Sequence, residues 1–174
     1  MALAVCLLFD RRSERAVRAL WDRLEDAGVP SLRSHTHGSH LPHLSYAVLR
    51  EWDDAAVADA LAGIDGGDPV ELTFDGMGLF RRGRVWLVAG VSAQFVARQQ
   101  RVVEAVTAAG ADLHKHYRPG IWLPHCSLAP RATLAQLPAV AAAVMDVLPL
   151  RVRMDHAALI NSATGQVTPL AMLP

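Results

Sequence analysis

The sequence predicts a two-lobed domain of mixed helices and strands, made of two copies of one strand–helix–strand unit. Two observations carry this reading. The first is a duplicated heptad: Leu41-Pro42-His43-Leu44-Ser45-Tyr46-Ala47 and Leu123-Pro124-His125-Cys126-Ser127-Leu128-Ala129, identical at five of seven positions. The second is that the 82 residues separating His43 from His125 bring the rest of the chain into register without gaps. The repeat is too long for a solenoid unit, so two packed copies around one core are expected. The halves run from 1 to 80 and from 81 to 174, and form a single domain.

Each element follows from local pattern. Met1 to Phe9 is apolar, short and runs into Asp10-Arg11-Arg12, which reads as a first core strand rather than a secretory leader. Shifted by the repeat, Leu3 to Asp10 falls on Val85 to Ser92. Val17, Leu20, Trp21 and Leu24 recur at helical spacing, and Gly28 with Pro30 stops that helix. Phe95, Val102, Val103 and Val106 repeat the stripe, stopped by Gly110. Each heptad reads as the start of a strand, since proline suits a first strand position where no ladder N–H is needed. Helices follow near Asp53 to Gly63 and Leu134 to Leu148, and strands at Val70 to Phe74 and Val152 to Ile160. Asp75 to Gly83 is the junction between halves; a last strand, Val167 to Leu173, follows a turn at Ala163-Thr164-Gly165.

Composition bounds the partners. A chain of 174 residues, 52% hydrophobic and 20% charged, suits one sizeable core. Zero formal net charge argues against a broad phosphate-tracking surface, while leaving room for a local cleft that takes a nucleotide or an RNA end. No stretch is long enough to span a membrane, and the cytoplasm is the expected compartment. Cys6 and Cys126 lie in apolar runs and read as small buried hydrophobes, not a disulfide. Internal twofold symmetry makes a monomer sufficient.

Residues i and i+2 of a strand share a face, so His43 points with Ser45 and His125 with Ser127. Leu44 and Cys126 then face the packing side. Cleaving a phosphodiester without metal requires a base for the incoming oxygen and an acid for the leaving oxygen, on opposite sides of phosphorus. Histidine suits both roles near neutral pH, and serine hydroxyls can donate to the non-bridging oxygens. Which histidine is base is open.

In these features the chain resembles the 2H phosphoesterase superfamily, defined by two His-x-Thr/Ser-x motifs, and within it the 2′-5′ RNA ligase and cyclic phosphodiesterase group. Gly76-Met77-Gly78-Leu79-Phe80 before Val85-Trp86-Leu87-Val88, and Tyr117-Arg118-Pro119-Gly120-Ile121-Trp122 leading into the second motif, add to the resemblance. It covers essentially the whole chain. It implies a bilobal, pseudo-twofold α+β fold, with two small, mainly antiparallel sheets flanked by helices around a central cleft. It also implies chemistry that needs neither metal nor cofactor, with a 2′,3′-cyclic phosphate of a nucleotide or RNA end, or a 2′-5′ linkage, as substrate. His43 and His125 take the acid and base roles and Ser45 and Ser127 bind phosphate. Relatives often carry an arginine just past the second motif; Arg131 stands one residue displaced from it.

Other residues remain open. Phe80, Tyr117 and Trp122 could line the cleft and stack on a base, or simply pack. Trp21 and Trp86 read as core. Arg81, Arg82 and Arg84 form a small basic turn. His35, His37, His40 and His43, with His114, His116 and His125, have spacing that permits a histidine-only metal site, but no cysteine or carboxylate pattern supports one. The segments read as loops approaching the cleft. Lys115, the only lysine, lacks the Lys-x-Asp-Gly context of adenylating ligases. Two alternatives stand beside the metal-free enzyme: a non-catalytic nucleotide or RNA-end binder, and a metal-dependent hydrolase using the histidine cluster.

Overall fold

The computed structural model describes residues 2–174, so that of the first apolar stretch only Met1 lies outside the described residues. Strand β1 (Leu3–Phe9) leads into α1 (Arg11–Asp26), β2 (His43–Glu51) and α2 (Asp54–Ala62). Then come β3 (Val70–Phe80), β4 (Arg84–Ala89), α3 (Ala93–Ala108), β5 (Asp112–Leu113), β6 (His125–Ala129), α4 (Leu137–Met145), β7 (Leu150–Asn161) and β8 (Val167–Pro169). Among the described residues no helix is long and apolar enough to cross a membrane.

The helices start and stop where their residues dictate. Asp10, Asp53 and Ser92 each cap a helix by accepting from the backbone N–H three residues on. α1 and α3 end in the same way: Gly28 (φ 74°) and Gly110 (φ 84°) adopt the left-handed conformation that glycine takes without strain. The next N–H in each case, Val29 or Ala111, closes the end on the Leu24 or Val106 carbonyl.

The strands form one open antiparallel sheet of eight in the order β5-β2-β1-β7-β3-β4-β6, with β8 beside β7. The two small sheets expected from the sequence are thus continuous. The reason is strand length. β7 pairs with β3 over Leu150 to Met154 and with β1 from Met154 to Asn161, so it belongs to both halves. β3 is also longer than the sequence suggests. It runs through most of the expected junction, because Gly76 and Gly78 pair with Val88 and Trp86. β8, by contrast, stops at Pro169.

The pseudo-twofold axis can be placed. Glu71 and Arg153 are equivalent under the 82-residue shift, and they are directly opposed in the β3–β7 pairing. The guanidinium of Arg153 donates to Glu71 Oε1 at 3.2 Å. About this pair the halves exchange parts: α1 packs with α4 and against β6, and α3 packs with α2 and against β2. Trp21 of α1 donates to the Ser127 carbonyl at 3.1 Å. Gln99 of α3, fully buried, donates to the Tyr46 carbonyl at 3.1 Å and the Tyr117 carbonyl at 2.7 Å. The core runs between the helices and the sheet face bearing Leu3, Val5, Leu7, Leu44, Leu49 and Leu159.

Candidate active site

The two motif strands begin at their histidines and lie alongside each other, although they are far apart along the sheet. Three backbone and indole bonds tie them in place. Leu32 N–H donates to the Leu128 carbonyl at 2.9 Å, His114 N–H to the Val48 carbonyl at 2.7 Å, and Trp122 Nε1 to the Ser45 carbonyl at 3.1 Å. The sheet is folded so that its two motif strands meet, with His43 near His125.

Each histidine is held by its own chain. His43 Nδ1 lies 2.7 Å from the Leu41 carbonyl, and His125 Nδ1 lies 2.7 Å from the Leu123 carbonyl. A carbonyl can only accept, so Nδ1 carries the proton in both rings and Nε2 is left as the working nitrogen. The residue two before each histidine supplies the orienting carbonyl, a backbone role that sequence reasoning missed and whose only trace was the identity of the two heptads.

Cross-strand register defines the rest of the cleft face. Directly opposed residues of an antiparallel pair share a face. His43 opposes Leu8 and Ser45 opposes Cys6; His125 opposes Val88 and Ser127 opposes Trp86. Cys6 is therefore a neighbour of the site as well as a buried residue. Its Sγ lies 3.5 Å from Ser45 Oγ. Cys126 is buried on the opposite face with Leu87.

The other candidates separate cleanly. Phe80 stacks on Trp86, with centroids 4.7 Å apart, and meets the His125 ring edge-on at 5.0 Å. Trp86 itself packs 5.6 Å from His125, so it walls the site rather than serving the core alone. Gly78 makes this possible, since a Cβ there would lie 2.0 Å from Trp86 Cζ2. The Tyr117 hydroxyl sits beside Ser45 and Cys6. Trp122 packs on Tyr46 and Phe95, half-buried behind β2. Arg131 is exposed past β6 and makes no hydrogen bond or ion pair among the described residues.

The histidine-rich loop is a strap lying against the β7–β8 turn. His37 packs over Gly165, where a Cβ would lie 2.7 Å from its ring. His40 stacks with His37 and His35 and shares a small recess with His43. Among the described residues no group of three or more His, Cys, Asp or Glu is arranged to hold a metal ion.

The electrostatics are asymmetric. Burial lowers His43, but the Cys6 sulfur and the Leu41 carbonyl outweigh it and raise the ring to about 9. Burial holds His125 below its ordinary value; the Leu123 carbonyl opposes this and the nearby His43 adds to it. Burial pushes the Tyr117 phenol up to about 12, so it is a neutral donor. The cleft thus pairs a histidine that holds its proton with one that gives it up, beside hydroxyls able to hold a phosphate.

Two adjacent motif strands, each with a histidine held through Nδ1 and a serine two residues on, make up the candidate site. Solved structures share the fold. A crystal structure described as a phosphoesterase superposes with a TM-score of 0.62 at 18% identity, covering 99% of this chain and 98% of that one. E. coli LigT complexed with 3′-AMP gives 0.62 at 17% identity over 97% and 94% of the two chains. TT0787 of Thermus thermophilus gives 0.58 at 17% identity over 99% of each. No curated protein matches the chain in sequence. The family model described as the 2′-5′ RNA ligase superfamily matches residues 10–166, and the chain belongs to that superfamily, the 2H phosphoesterases.

Proposed function

We propose that this chain is a metal-independent phosphoesterase acting on the 2′,3′-cyclic phosphate of a nucleotide or RNA end, with His125 as base and His43 as acid. The observation that carries this is the matched pair of Nδ1–carbonyl bonds, which leaves Nε2 as the nitrogen for proton transfer in each ring. His125 Nε2 takes the proton of the attacking water as its oxygen bonds to phosphorus. His43 Nε2 gives its proton to the ribose oxygen as that P–O bond breaks. Ser45 and Ser127 donate to the non-bridging oxygens, where charge accumulates. A nucleoside 5′-hydroxyl in place of water makes a 2′-5′ linkage at the same site. That LigT takes 3′-AMP supports a nucleotide-sized ligand here.

The test is turnover, with EDTA present, of 2′,3′-cyclic nucleotides, RNA with a cyclic end, 2′-5′-linked oligonucleotides and ADP-ribose 1″,2″-cyclic phosphate. Activity should persist under chelation, and His43→Ala and His125→Ala should each lower kcat by roughly 10²- to 10⁴-fold. Full turnover in either folded variant sinks the assignment. Binding without turnover in the native chain favours a non-catalytic sensor, and activity restored only by zinc favours a metal-dependent hydrolase.

A further inference from the structure

The two half-sites differ in what surrounds the serine. Ser127 faces the Trp86 ring across its strand pair, whereas Ser45 faces a thiol. Cys6 is fully buried; its sulfur lies 3.5 Å from Ser45 Oγ and also beside the His43 ring. Ser45 is itself nearly buried, at 9% exposure. A serine hydroxyl has one hydrogen to donate and two lone pairs to accept with. A phosphate in the cleft needs that one hydrogen. If it were directed at sulfur, a weak acceptor, the phosphate would lose its donor.

We propose that Cys6 is a positioning residue: its S–H donates to Ser45 Oγ and so leaves the Ser45 hydrogen pointing into the cleft for a phosphate oxygen. The neutral Tyr117 phenol lies beside the same serine, and in this proposal it donates to the second lone pair. Ser45 Oγ then accepts from Cys6 and Tyr117 and donates to phosphate, and every group is satisfied. The residues come from three elements: β1, β2 and the loop before the second motif. The arrangement makes the first half-site a rigid phosphate clamp and leaves the second, at Ser127, free to follow the substrate. This inference rests on Ser45 being a phosphate-binding group.

The experiment uses inorganic phosphate as probe, so that it is independent of turnover. Its Kd is measured for the native chain, Cys6→Ala and Cys6→Ser, with the pH-independent maximum of kcat/KM for 2′,3′-cyclic AMP followed in parallel. Removing one neutral hydrogen bond predicts about a five- to tenfold weaker Kd and a similar fall in kcat/KM for Cys6→Ala. Cys6→Ser keeps a donor at the same place and should recover both to within about twofold, which a packing role would not produce. Equal damage in the two variants, or native phosphate affinity in Cys6→Ala, overturns the proposal. If Cys6→Ala does not fold, Tyr117→Phe, which removes the second donor to the same oxygen, must weaken phosphate binding or the clamp is wrong. A native chain that binds phosphate in this pattern but turns over no cyclic phosphate refutes the enzymatic reading and leaves the clamp standing.

Discussion

At the scale of single residues, the opposed shifts of two identical motifs determine the pH response. In the proposed mechanism the base, His125, must be neutral, and burial holds it below the ordinary histidine value of 6.5. The acid, His43, must be protonated, and it stays so up to about 9. The pH–rate profile of kcat/KM should therefore be a broad bell, level through neutral pH, falling on the acid side below 6.5 and on the alkaline side near 9. Cys6→Ala removes the sulfur that raises His43, burial then dominates, and the alkaline limb should move to lower pH. An alkaline limb unmoved in that variant contradicts the account. That His43 shares a strand face with Ser45, and His125 with Ser127, was legible in the sequence, because a strand's period of two fixes which side chains point together. Cys6 and Tyr117 were not. Their place depends on which strand pairs with β2 and in what register, and a one-residue slip would turn Cys6 to the other face.

At the scale of elements, spacing predicted the helices and strands well, and the departures have physical causes. Gly76 and Gly78 look like junction residues but belong to β3; at Gly78 the strand lets the Trp86 indole lie across it and cannot carry a side chain, and at Gly76 a Cβ would press on Val88 at 3.1 Å. Gly78→Ala tests this. Its Cβ would lie 2.0 Å from Trp86 Cζ2, so the ring must shift, at a cost of about 1–3 kcal/mol in unfolding free energy. Because Trp86 carries Phe80 against His125, kcat should fall as well; native stability and kcat together would refute the packing. The histidine strap was read as loop, and its seating gives a second test. Burial, then His37, His35 and His43, lowers His40 to about 4. A folded-state value below the unfolded one means the unfolded chain binds the extra proton. Stability contributed by the seated neutral ring is therefore lost as pH falls from 6.5 toward 4. The melting temperature should drop over that window, and His40→Gln should flatten the drop. The same slope in both proteins would show that the strap does not sense pH.

At the scale of the whole molecule, the sequence revealed the duplication but not how the copies are joined. The 82-residue shift says which residues correspond; it is silent on which copy packs against which. The structure answers with exchange. α1 of the first half packs against β6 of the second, α3 of the second packs against β2 of the first, and β1 has its neighbour in β7 rather than in its own β3. A segment of residues 1–80 by itself would leave β1 without β7, Tyr46 without Phe95 and the Ser45 carbonyl without Trp122. Residues 81–174 would leave the Ser127 carbonyl without Trp21 and β7 without either β1 or β3. Each fragment would expose the buried face of a sheet whose covering helix sits on the other, and such small pieces have little core to spare. Expressed separately, 1–80 and 81–174 should each lack the circular-dichroism spectrum and cooperative melt of the intact chain. Mixed in equal amounts they should recover both, along with phosphate binding, since complementation restores every missing partner at once. A half that folds alone with a cooperative transition would show that the exchange of helices follows folding rather than making it possible.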